Sequence, residues 1–293
     1  VDVAFIDEAH LLLTQGKQSY RGKNQLQDII ERARVTVVMF DEYQILTTEQ
    51  FWEAQILEKY RKQAEATNNH IILDKQLRMQ AGPETMDWID SFTKRNEIKK
   101  LPETVDGYTI KVFDDPEQLD LEITEKAKKT DSALSRLIAT YDWEYSSKAK
   151  RRFRKYWEVE IGAWHKPWNR ELKSELSQKE KRQIKDLAWA EQPQTINEVG
   201  STFTIQGFDL NYAGVILGPS VKYRNGKVIY DPEKSCNDKA IQNRTLSDGS
   251  KQKFGEILIQ HAVRVLMTRG VNGMFIYACD DELREALKRA TER

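Results

Sequence analysis

The feature that most restricts the fold of this chain is the run VAFIDEAH at residues 3–10, an uninterrupted apolar stretch that ends in two acids. Val3 to Ile6 alternate too little for a half-exposed strand, so they predict a central strand of a parallel sheet, covered on both faces. Ligand sites in such sheets lie beyond the carboxyl ends of the strands, which is where Asp7 and Glu8 fall. A fold of the α/β class follows. The same letters also fit a strand that merely ends in an acidic turn, and the rest of the chain has to decide between the two.

A second run, VTVVMF at residues 35–40, repeats the pattern. It is reached through NQLQDIIERAR, whose Leu26, Ile29, Ile30 and Ala33 fit one helical face. This strand also ends in acids, with Asp41, Glu42 and Gln44 just beyond it. DEAH resembles a Walker B motif, in which Asp7 holds Mg²⁺ through water and Glu8 orients and polarises the attacking water. Asp41-x-x-Gln44 resembles motif III of superfamily 1 helicases, where the glutamine contacts the γ-phosphate or its attacking water. Two consecutive strands ending in site-type acids, one helix apart, are far less a matter of chance than either alone.

Thr48 is expected to cap a helix over residues 49–66. HIIL at residues 70–73 predicts a short strand leading into DKQLRMQ, which resembles motif IV and places Arg78 where an arginine reaches the γ-phosphate; taken alone, it is an exposed arginine at a strand-to-helix junction. Beyond it are predicted a helix over residues 83–94 with Met86, Ile89 and Phe92 inward and Trp88 nearby, a strand over 107–113, a helix over 116–129 and a strand over 137–140. Strands alternating with helices predict a second α/β layer structure.

Residues 148–155, KAKRRFRK, hold six basic residues in eight, with Trp143, Tyr145, Tyr156, Trp157, Trp164 and Trp168 around them. The 46 basic and 46 acidic residues of the chain cancel, so any affinity for nucleic acid has to come from such a local patch. Arg151, Arg152, Arg154 and Trp157 suit a single-stranded DNA or RNA groove, in which bases stack on rings and cations neutralise phosphates. A hairpin with solvated basic residues and inward tryptophans explains the same letters equally well. Residues 171–187 are highly charged and predicted helical.

In the last hundred residues, TFTIQGFDLNYAGVILG couples Gln206, Gly207 and Asp209 to a strand over residues 213–217, a form that resembles motif V. There the Gln-Gly backbone lies near the phosphates and the acid takes a ribose hydroxyl. Asn225-Gly226 predicts a β-hairpin over residues 220–231. Residues 231–251 are polar without periodicity and read as a mobile loop. A helix over residues 254–267 ends in MTRG, which resembles motif VI and makes Arg269 an arginine finger. A core strand over residues 273–278 and a C-terminal helix capped by Asp280 complete the chain.

With 293 residues the chain holds two domains of ordinary size. Cys236 and Cys279 are its only cysteines, which argues against a cysteine-rich zinc site or a disulfide framework. No apolar run of about eighteen residues and no basic-then-apolar leader occurs, so a cytoplasmic protein without membrane contact is expected. A complete P-loop ATPase carries G-x-x-x-x-G-K-[ST] before its Walker B strand. The pairs Gly16-Lys17, Gly22-Lys23 and Gly226-Lys227 lack the rest of that pattern, and only two residues precede Val3. The chain therefore reads as the C-terminal part of a longer protein, with doubtful activity on its own.

The five elements follow the order of superfamily 1 helicase motifs II to VI. Closer still, SRLIATYDWEYSS, KPWN, TINEVGSTFTIQGFDLNYAGVILGPSVKY and RVLMTRGVNGMFIYACD resemble the bacterial helicase-like ATPases filed as domain of unknown function 2075, relatives of the ATPase region of Schlafen proteins. The departures are the missing Walker A and, before motif VI, His261 and Val263 where the family has Asn and Tyr. The resemblance implies an α/β, RecA-like P-loop NTPase: residues 1–75 as the C-terminal part of a first RecA-like domain, and residues 76–293 as a second with a parallel sheet and a basic, aromatic insertion around residues 141–190. It implies ATP and Mg²⁺ as cofactors, with Glu8, Gln44, Arg78 and Arg269 catalytic, Asp7, Gln206, Gly207 and Asp209 binding the nucleotide, and the site between the two domains. A nucleic-acid-dependent ATPase or helicase is the first expectation. The others are a nucleotide-dependent switch of a defence-type protein that serves a fused or associated effector without unwinding, and a non-enzymatic fragment.

Overall fold

The computed structural model describes residues 1–16, 20–73, 76–102, 107–146 and 154–292. They divide into two compact units, one formed by residues 1–76 and 238–261, the other by residues 77–237 and 262–293.

The first unit opens with β1 (Val3–Ile6), which pairs in parallel with β2 (Val35–Val38) from Val3 opposite Val35 to Ile6 opposite Val38. Between them lies α1 (Gln25–Ile30), started by Asn24, whose side chain accepts from the amide of Gln27. The expectation of strands covered on both faces is corrected: Val3 and Phe5 are 51% and 75% exposed, and Val35, Val37 and Met39 are exposed as well. Ala4, Ile6 and Thr36 are half-buried while Val38 is exposed too, and Ile6 packs with Leu12, Ile30 and Phe40 against the core of Leu26, Ile45 and Trp52. The predicted helix over 49–66 starts later, because Thr48–Gln50 form a tight turn and α2 runs only over Ala54–Ala66. The predicted strand at residues 70–73 is absent; Ile71, Ile72 and Leu73 are exposed and, among the described residues, have no neighbouring strand to pair with.

The second unit begins with α3 (Pro83–Lys94), started by Pro83 and packed through Trp88, Ile89 and Phe92. Then come β3 (Thr109–Val112), α4 (Pro116–Ala127), capped by Asp115, and β4 (Arg136–Ala139), all of whose residues are buried. β5 (Glu158–Ile161) and β6 (Trp164–Pro167) form an antiparallel hairpin. The charged segment after it is a 3-10 helix over Glu171–Glu175 and α-helical only over α5 (Gln178–Gln183). β7 (Val199–Ser201), α6 (Thr202–Ile205) and β8 (Leu210–Leu217) follow, then β9 (Val221–Arg224) and β10 (Lys227–Tyr230), the hairpin expected around Asn225-Gly226.

Within residues 231–251, expected to be a mobile loop, the part from Asp238 on instead forms α7 (Asp238–Ile241), β11 (Asn243–Thr245) and the start of β12 (Lys251–Lys253) within the first unit. Buried Arg244 donates to the carbonyls of Thr48 at 2.8 Å and Thr14 at 3.3 Å, and Ser247 donates to Glu53 at 2.6 Å. Polar composition misled here because the partners lie about two hundred positions away in sequence.

Finally α8 (Gly255–Met267) leads to β13 (Gly270–Ala278) and α9 (Asp281–Thr291), where Asp280 accepts from the amide of Leu283, as its capping position predicts. The central sheet of the second unit has the order β3-β13-β8-β4-β7, parallel throughout. Leu119 and Ile123 of α4 pack with Leu137, Ile216 and Phe275 in its core, each fully buried side chain of this kind contributing about 1.5–3 kcal/mol. This is a mixed α/β structure consistent with a RecA-like fold. No helix among the described residues is long and apolar enough to cross a membrane.

Candidate nucleotide site

In the first unit the acids stand at the carboxyl ends of the paired strands. The amide of Ala9 donates to Met39 and that of Met39 to Ile6, so the ends of β1 and β2 are tied together. Asp7 is exposed, and one of its oxygens accepts from the amide of Glu8 at 2.9 Å. Glu8 has φ 51° and ψ 42°, a left-handed conformation uncommon for a residue with a side chain. Its carboxylate lies 2.9 Å from Nε2 of His10, a residue only 1% exposed. In the sequence, the only signal of this role for His10 is its place two residues after Glu8.

Asp41 accepts from the amide of Tyr43 and from the side-chain amide of Gln44, both at 3.0 Å, which orients the glutamine. Tyr43 meets the ring of His261 edge-on at 5.7 Å, and His261 donates through Nδ1 to the carbonyl of Ile45. The histidine at this departure from the family pattern thus packs against the Asp41-x-x-Gln44 turn. Among the described residues no group of three or more His, Cys, Asp or Glu side chains converges as a metal site.

In the second unit Arg78, Asp209 and Arg269 come together at the amino edge of the sheet. Asp209 precedes β8 and Arg269 precedes β13, and the amide of Leu210 donates to the carbonyl of Arg269. Nε of Arg78 lies 2.6 Å from Oδ1 of Asp209, and a terminal nitrogen of Arg269 lies 3.9 Å from the same oxygen. Arg269 is 0% exposed, and its Nε donates to the carbonyl of Val265 at 3.0 Å. The chain enters β13 through a bulge at Gly270, where a Cβ would stand 2.0 Å from the carbonyl oxygen of Gly273; only glycine fits. Gln206 and Gly207 form the turn before Asp209, with Gly207 at φ 78°.

Of the basic and aromatic stretch, Arg151 and Arg152 lie outside the described residues. Arg154 is ion-paired with Glu160 at 3.0 Å and Glu158 at 3.4 Å. The indole of Trp157 donates to the carbonyl of Ser146 at 3.0 Å and packs partly against the core. Trp168 is fully buried and Trp143 meets it edge-on, the inward packing expected of a structural hairpin.

A further polar cluster lies beyond the carboxyl ends of β4 and β8. Thr140 donates to Asp142 at 2.8 Å and accepts from the amide of Gly218, and the amide of Ser220 donates to the same carboxylate at 2.9 Å. A Cβ on Gly218 would sit 2.4 Å from that carboxylate. Burial raises the Asp142 carboxyl to about 6 despite these donors.

Residues 1–280 match the family profile described as Schlafen group 3, DNA/RNA helicase domain. An uncharacterized protein of Saccharomyces cerevisiae is 30% identical over 316 residues, an alignment that takes in all of this chain. The chain spans 65% of that curated relative's length. No solved structure gives a significant match. These matches fall on the Schlafen side of the resemblance, and the bacterial family filed as domain of unknown function 2075 has no counterpart in them. With 280 of its 293 residues matched, the chain belongs to the Schlafen group 3 DNA/RNA helicase domain family.

Proposed function

We propose that this chain is the motor region of an ATP-hydrolysing, superfamily 1 helicase-like protein whose turnover depends on single-stranded DNA or RNA. The observation that carries the reading is the convergence of Arg78 and Arg269 on a single carboxylate oxygen, since two guanidinium groups so placed suit one phosphoryl oxygen. In this reading Asp7 holds Mg²⁺ through water, Glu8 polarises the attacking water, and Gln44, steadied by Asp41, senses the γ-phosphate. Gln206 and Gly207 lie along the phosphates. Arg78 and Arg269 neutralise charge that develops in the transition state, a class of contact worth about 10³–10⁵ in rate. No G-x-x-x-x-G-K-[ST] sequence occurs within residues 1–293, so the reading requires that loop from elsewhere in the full-length protein.

The test is magnesium-dependent ATP hydrolysis by the full-length protein, with and without single-stranded DNA or RNA. Nucleic-acid-stimulated turnover is the expected result. Nucleotide binding with no turnover in either case would replace the motor by a nucleotide-dependent switch, and no nucleotide binding would remove the reading altogether.

A further inference from the structure

The geometry points to Asp209 as an internal counter-ion that takes the place of a phosphoryl oxygen between Arg78 and Arg269 until a nucleotide displaces it. The inference rests on the reading of those arginines as phosphate ligands and gives Asp209 a role other than that of a ribose ligand.

Three features of the second unit support it. Oδ1 of Asp209 is shared, 2.6 Å from Nε of Arg78 and 3.9 Å from the terminal nitrogen of Arg269. Carboxylate and phosphate oxygens are equivalent acceptors for a guanidinium group, so a site that holds one suits the other. Next, the two sides of the pair differ in freedom. Arg269 is 0% exposed and tethered through Nε to the Val265 carbonyl, so its charge cannot turn to water and needs an anion beside it. Oδ1 of Asp209 is sealed from water, but the side chains of Asp209 and Arg78 are 43% and 35% exposed as wholes, so the carboxylate has only a short way to turn to reach solvent and the pair separates at less cost than a buried one. Finally, Asp209 stands just after the turn at Gly207, and the amide of Phe208 donates to Ile205, so the carboxylate is carried by a short turn rather than by the sheet. A movable anion beside a fixed, buried cation is the arrangement a displaceable counter-ion requires. Phosphate entering here would take over the arginines and send the carboxylate to water.

The test is thermal melting of the full-length protein in chloride at constant ionic strength, with inorganic phosphate as the probe. Asp209→Asn keeps the shape and removes the charge, and should melt about 5 °C below the parent. Adding about 10 mM inorganic phosphate should recover most of that loss, while the parent shifts by about 1 °C or less. A variant that does not respond to phosphate, or a parent that responds as strongly, overturns the inference. Should Asp209→Asn fail to fold, the double variant Asp209→Asn with Arg269→Gln, which removes the buried charge together with its counter-ion, should fold and bind phosphate no better than the parent. A double variant no more stable than the single one also overturns it. Phosphate binding needs no turnover, so the two readings fail separately. A phosphate-responsive Asp209→Asn in a protein without ATPase activity leaves the counter-ion and removes the motor; a phosphate-blind variant of an active ATPase does the reverse.

Discussion

Nε2 of the buried His10 lies 2.9 Å from a carboxylate oxygen of Glu8, and the backbone of Glu8 takes a left-handed turn at this contact. Non-glycine residues held in that region cost of the order of 1–3 kcal/mol and gather at functional positions. Glu8→Gln in the full-length protein is expected to bind ATP as the parent does while turnover falls about a hundredfold or more, because the amide keeps the shape and cannot take a proton. Steady-state hydrolysis beside nucleotide binding checks this. Parent-like turnover would remove Glu8 from the water-activating role.

Arg269→Lys should lower kcat about a hundredfold or more, since lysine keeps the charge and loses the planar fork. The structure adds a stability effect that the sequence does not suggest. Lysine has no Nε at the right distance to donate to the Val265 carbonyl, which keeps the Thr268 hydroxyl at 3.3 Å as a donor, so the lost hydrogen bond costs about 0.5–1.5 kcal/mol. Kinetics and a melting curve on the same variant separate the two effects; a fully stable variant with unchanged kcat would contradict both.

Asp142 has its folded carboxyl raised from 3.8 to about 6 by burial. A carboxyl raised on folding opposes stability once the unfolded chain releases its proton. The penalty therefore grows as pH rises from near 4 and is complete above about 6, at about 3 kcal/mol. Asp142→Asn keeps an oxygen for the Thr140 hydroxyl and the Ser220 amide and cannot ionise. The difference in stability between variant and parent should shift in the variant's favour across that window, by denaturant titration at pH 4.5 and pH 7.5. A pH-independent difference would mean that Asp142 titrates normally.

Changing Arg151, Arg152 and Arg154 together to Ala should weaken single-strand binding by the full-length protein and reduce its salt dependence by about one unit of slope or less per lost phosphate contact. Arg154 alone should matter least, because Glu158 and Glu160 already engage it. Binding isotherms at several salt concentrations provide the measurement, and an unchanged slope in a folded triple variant would favour the solvated hairpin.

Features with causes inside a few residues were legible in the sequence. The strands at Val3–Ile6 and Arg136–Ala139 follow from apolar runs, the hairpin from Asn225-Gly226, and the start of α9 from the carboxylate of Asp280 beside free helix amides. The acids at the ends of β1 and β2 were legible for the same reason, since a strand carries its own terminal residues to its carboxyl edge.

Other outcomes depended on partners that no local pattern encodes. β1 and β2 have central-strand letters, yet a strand is covered on both faces only when other elements lie over it, and here Val3 and Phe5 remain exposed. Residues 231–251 have loop letters, yet Arg244 is drawn inside by carbonyls about two hundred positions away. The sequence named Arg78, Asp209 and Arg269 one at a time, each from its own motif, and assigned the acid to a sugar. Their meeting on one carboxylate oxygen, with Arg269 sealed from water, was decided by the tertiary structure, because charge pairing and desolvation act through space between residues that the chain holds far apart.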